Sequence, residues 1–112
     1  MKNKLLKIIN HYGIMKQLKY IHSEYFELDE AIIDYCKDEF NYYDCVEKNH
    51  QEHIAEEIAD VLVMLKQFQY YFDIEDKIIK QIMNKKIARQ LERIENEWYC
   101  KDSIECYLFS YT

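Results

Sequence analysis

The sequence has no proline and a single glycine in 112 residues. Sandwiches and barrels depend on many tight turns, and those turns draw on both residues. Their near absence excludes such folds and points to long helices with few connections. A basic surplus is also missing: 15 Lys and Arg face 21 Asp and Glu, a formal charge of −6. Broad electrostatic binding to nucleic acid needs the opposite balance, so no nucleic-acid partner is expected. The four cysteines (Cys36, Cys45, Cys100 and Cys106) lack any CxxC spacing. Reduced thiols in a cytoplasmic protein are expected, rather than a Cys100–Cys106 disulfide. No stretch approaches the roughly 20 apolar residues of a membrane span. The apolar N-terminal run is broken by Lys7 and has no small-residue cleavage site, so neither a signal peptide nor a membrane partner is expected.

What is present is 49% hydrophobic and 32% charged. That is too apolar for a disordered chain and too charged for a membrane protein. One domain over residues 1–112 is the expectation, since two cores do not fit in that length.

Periodicity places four helices. The first covers about residues 2–11, with Leu5, Ile8 and Ile9 on one side, and Gly13 marks its end. The second runs from about Ile14 to Lys37, where Ile14, Leu18, Ile21, Tyr25, Leu28 and Ile32 recur at three- and four-residue steps. Residues 38–50 lose that period and read as a connection. The third helix runs from about Gln51 to Phe72, with Ile54, Ile58, Val61, Leu62, Leu65, Phe68 and Phe72 on its apolar face. Asp73 is expected to cap a fourth helix reaching Glu97, with Ile79, Met83, Ile87, Leu91 and Ile94 inward. The pattern assigns no element to residues 98–112. The fold class is therefore all-α, an antiparallel helical bundle.

Two acidic pairs stand out. Glu24 and Glu27 lie three apart on the second helix, and Glu57 and Asp60 three apart on the third. That spacing projects both members of a pair to the same side. Each pair starts at the edge of its helix's apolar face, so antiparallel packing brings the pairs together at the rim of the core. Two like charges 4 Å apart repel by ~4 kcal/mol at an effective dielectric of 20. Either some carboxyls stay protonated or a cation sits among them. An all-oxygen donor set selects Mg²⁺, or Mn²⁺, over zinc or copper, and Mg²⁺ readily takes phosphate oxygens as further ligands.

The sequence resembles the MazG-like superfamily of all-α nucleotide pyrophosphohydrolases, in particular its small phage-type members. The family pattern is EExxE on one helix and ExxD, often EExxD, on the next, followed by a basic KxxR signature. Here the corresponding segments are Ser23-Glu24-Tyr25-Phe26-Glu27, Glu56-Glu57-Ile58-Ala59-Asp60 and Lys86-Ile87-Ala88-Arg89. The likeness covers about residues 13–95. It implies a MazG-like bundle completed by oligomerisation, as a homodimer or homotetramer, a state that the surplus of apolar face also favours. It implies Mg²⁺ ligation by Glu24, Glu27, Glu57 and Asp60, which are then the catalytic carboxylates. It further implies hydrolysis of a nucleoside triphosphate between the α and β phosphates, giving a monophosphate and pyrophosphate. Lys86 and Arg89 match positions that face the substrate's phosphates. Arg93 lies on the same helix face, so the three form a line of cations for the distal phosphates. Glu27 or Glu24 would take the proton from the attacking water. Gln17, Tyr20, Tyr25 and Met64 are candidates for contacts to a base.

Two positions depart from the pattern. Ser23 replaces the first Glu, and Gln90 replaces a frequent Arg. Ser23 keeps open a weakened relative of the same fold that binds a nucleotide or a protein partner. A di-iron carboxylate bundle is a poorer fit. It needs Glu-x-x-His on two helices, and Glu47-x-x-His50 alone has that form, where the helical pattern fails.

Overall fold

The computed structural model describes residues 1–40 and 49–97. The open questions over residues 98–112, Glu47, Cys45, Cys100 and Cys106 lie outside them. Four helices account for almost all of the described chain: α1 (Lys2–Tyr12), α2 (Ile14–Phe40), α3 (His50–Tyr71) and α4 (Asp76–Glu97). The chain divides into two units, residues 1–74 and 75–112. No described helix is long and apolar enough to cross a membrane.

The helix ends follow from local chemistry. α1 stops at Gly13, whose φ of 89° lies where a side chain is strained. Asn49 starts α3: its side chain accepts from the Glu52 backbone N–H at 3.1 Å and donates to the Glu52 carboxylate at 2.8 Å. This satisfies an amide that the first helical turn leaves without an acceptor.

Asp73 corrects an expectation, for it ends α3 rather than capping α4. Its φ is +55°, and its N–H bonds to the Tyr70 carbonyl while that of Ile74 bonds to the Gln69 carbonyl. These two bonds form the left-handed stop that usually carries Gly; a short polar side chain tolerates the position better than most. The Gln69 side chain donates to the Ile74 carbonyl at 3.0 Å and fastens the turn.

In the first unit α2 and α3 run antiparallel. Gln17 meets Gln67 at one end of the seam, and the Tyr35 ring meets that of His50 edge-on at the other. α1 lies mainly against α3, burying Leu5 and Ile9. Lys2 reaches Asp73 at 3.8 Å and lies over the Tyr70 ring, so the start of α1 sits at the end of α3.

The apolar stripes do not close the unit as their spacing suggests. Leu18, Tyr25 and Ile32 on α2 are exposed, and so are Ile58, Leu62, Leu65 and Phe72 on α3. The line buried on α2 is Gln17, Glu24 and Ala31, one position back and about 100° round the helix. Among the described residues the buried apolar side chains are Leu5, Ile9, Ala31, Met64 and Tyr70. That is a small core for a chain of this length, and it leaves the intrachain seam unusually polar.

α4, described by itself, buries no side chain. Ile79 is half-buried, while Met83, Ile87, Leu91 and Ile94 are exposed rather than inward.

Candidate metal centre and adjoining cavity

Glu24 and Glu27 come from the middle of α2, Glu57 and Asp60 from the facing turns of α3. Each offers one carboxylate oxygen such that all four atoms lie within 4.8 Å of one another. Opposite oxygens round a magnesium ion lie roughly 4 Å apart, twice its 2.0–2.1 Å bond length. The four groups are therefore gathered nearly to the size of a hard cation. The cluster runs from inside the seam to its surface: Glu24 is 7% exposed, Glu57 is half-buried, and Glu27 and Asp60 face solvent.

The electrostatics are those of crowded like charge. Burial, then the neighbouring Glu27 and Asp60 carboxylates, push the Glu57 carboxyl above its usual range, with His53 one turn away opposing and Glu24 adding a little. The Tyr20 hydroxyl is also held above its usual range, first by hydrogen bonding to Glu24 and then by that carboxylate's charge. Glu24 Oε2 and Glu57 Oε2 are sealed from solvent and have no hydrogen-bond partner. A polar oxygen sealed from water and left without a partner is costly, and more so when it is charged. A cation among the four groups would offset their charge and offer a partner to such oxygens. The donor set is all oxygen, so it fits a hard divalent ion such as Mg²⁺ or Mn²⁺.

A cavity of about 390 Å³ opens beside this cluster, and Glu24 and Asp60 line both. Its far walls include Ile8 and Tyr12 of α1, Gln17 and Tyr20 of α2, and Met64 and Gln67 of α3. Gln17 Nε2 donates to Gln67 Oε1 at 2.8 Å, and Gln67 Nε2 lies 3.7 Å from Met64 Sδ. Of the four candidates for base contacts, Gln17, Tyr20 and Met64 line this cavity. Tyr25 does not: it is 65% exposed. The sequence reading missed Gln67 and the part played by α1. Gln67 falls at Asp60 + 7 on the same side of α3 as Met64, which is the one signal that could have found it.

Lys86, Arg89 and Arg93 are exposed along one side of α4, at i, i+3 and i+7. Ser23 is exposed, while Glu24 beside it is buried in the seam.

Four oxygen donors on two antiparallel helices define the class: an all-α protein built round a cage of carboxylates. The chain belongs to the MazG nucleotide pyrophosphohydrolase family, because residues 14–94 match the model of the MazG nucleotide pyrophosphohydrolase domain. Comparison with curated proteins and with solved structures gives no match. The family match spans α2, α3 and most of α4, and leaves out α1.

Proposed function

We propose that the protein is a Mg²⁺-dependent nucleoside triphosphate pyrophosphohydrolase that cleaves between the α and β phosphates to give a monophosphate and pyrophosphate. The observation that carries this reading is the set of four carboxylates gathered in the α2–α3 seam, two with orphaned oxygens, inside the segment that matches the family. When bound, Mg²⁺ supplies charge neutralisation on the phosphates and Lewis-acid activation of water.

The chain's own residues divide the remaining work. Glu24, Glu27, Glu57 and Asp60 would hold the ion, with Glu24 buried in the seam and Glu57 half-buried, each presenting a solvent-sealed oxygen. Glu27 is exposed and can pass the proton of the attacking water on to solvent. One P–O bond of the α–β bridge breaks and the water oxygen forms the new one. Lys86, Arg89 and Arg93 bind the distal phosphates, with the arginines offering forked donors to paired oxygens. The exposed position of Ser23 supports activity, since a residue there subtracts nothing from the four-carboxylate set.

The exposed apolar lines of α2 and α3 support a homodimer or homotetramer in which a second copy covers them. Light scattering should give a mass two or four times 13.9 kDa. A cytoplasmic location goes with the same reading, since nucleoside triphosphates are made and consumed there.

The test is incubation with Mg²⁺ and a panel of canonical and modified (d)NTPs. Pyrophosphate release that disappears in Glu57→Ala supports the enzyme. Tight nucleotide binding without turnover would instead identify a weakened binding relative.

A further inference from the structure

α1 lies outside the family match, yet it closes one side of the cavity that opens on the acidic cluster. Three observations bear on what that wall is for. First, the cavity is continuous with the cluster through Glu24 and Asp60. A ligand held at the cluster by its phosphates therefore has this space for its uncharged end. Second, the lining suits a flat heterocycle. Ile8, Tyr12, Tyr20 and Met64 supply apolar and aromatic surface, and two buried amides supply an edge with both donors and acceptors. The Gln17–Gln67 bond uses one donor and one acceptor of the pair, which leaves polar capacity for an incoming edge. Third, α1 is anchored away from the cavity. Leu5 and Ile9 are buried, and Lys2 ties to Asp73, whereas Tyr12 at the other end is half exposed with Lys16 5.2 Å from its ring centre. The cavity end of α1 can thus vary in side chain without loosening the helix.

We propose that α1 is the specificity wall for the base of the nucleotide: Tyr12 and Ile8 set the size and stacking surface, and the Gln17–Gln67 pair meets the base edge. This rests on the nucleotide reading above, but it makes a separate claim about an element outside the family match. Its size is suitable, since small-molecule sites run from roughly 300 to 1,000 Å³.

The experiment follows the backbone amides of α1 by NMR while uridine, cytidine, adenosine and guanosine are titrated into the full-length protein without metal. Nucleosides carry no phosphate, so this readout is independent of turnover. Shifts at the Tyr12 end of α1 are expected. Tyr12→Ala should weaken binding about tenfold, the scale of one lost stacking contact. Ile8→Trp should lose the purine nucleosides before the pyrimidine ones, and in both variants the Mg²⁺-induced rise in Tm should stay at the wild-type value. If wild type hydrolyses triphosphates while nucleosides leave α1 unmoved, or if both variants bind every nucleoside as wild type does, the wall is overturned and the hydrolase reading survives. If nucleosides bind and the variants shift selectivity with no turnover of any triphosphate, the wall stands and the hydrolase reading fails.

Discussion

The α2–α3 seam buries polar groups in two places, and they resolve the problem differently. At the α1 end, Gln17 and Gln67 satisfy one another through a 2.8 Å hydrogen bond. Further along, Glu24 and Glu57 are enclosed with an oxygen each that nothing in the chain satisfies. Neutral amides are both donor and acceptor, so each can supply what the other lacks and still offer polar capacity to a further group. Ionised carboxylates only accept, so four of them cannot satisfy each other, and their mutual repulsion adds to the desolvation. The amide end of the seam therefore finds partners within the chain, and the carboxylate end does not.

The contrast can be broken most sharply at Glu57. Glu57→Gln keeps the shape and removes one charge. Turnover with Mg²⁺ should fall at least about 100-fold, beyond the 10–100-fold that altering groups behind a metal ligand costs. The metal-free variant should melt at a higher temperature than metal-free wild type, because a crowded charge is gone. A variant that loses both activity and metal-free stability would contradict the separation of roles.

The amide end should respond in the opposite sense. Gln67→Leu leaves Gln17 buried without its partner and should destabilise the fold by about 1–3 kcal/mol in urea melts, while Gln17→Leu combined with Gln67→Leu should lie close to wild type. Equal losses in the single and double variants would show that the pair does more than satisfy itself.

The smallest effect is on pH. Unfolded, Glu57 titrates near 4.5, and in the fold its pKa is raised by burial and its acidic neighbours. A raised pKa gives stability that is fully present below 4.5 and lost as pH climbs through the folded value. Metal-free protein should thus lose this contribution on going to neutral pH. Added Mg²⁺ should raise Tm more at pH 7.5 than at pH 4.5, where Glu57 holds its proton.

The sequence made some of this legible and hid the rest for identifiable reasons. The absence of proline and the three- and four-residue spacing were enough to place all four helices, and Gly13 marked a true boundary. The two acidic pairs were visible because i, i+3 spacing survives any helix packing. Which stripe of α2 turns inward was not visible. Leu18, Tyr25 and Ile32 have the stronger apolar signal, but periodicity cannot say whether a stripe is covered by the same chain or by another copy, and within this chain it is exposed. Gln17 and Gln67 were hard to read because glutamine at a helix surface is ordinary. Asp73 looked like a helix start because Asp favours that role, and only its bonding partners reveal it as a stop.

The central claim is that the four carboxylates of the seam bind a divalent cation. Electron paramagnetic resonance of Mn²⁺ titrated into metal-free protein at pH 7.5 tests it directly. Saturable binding in wild type, competed by Mg²⁺ and lost in Glu57→Gln, is the predicted result. Free Mn²⁺ throughout the titration, or equal affinity in the variant, would contradict it.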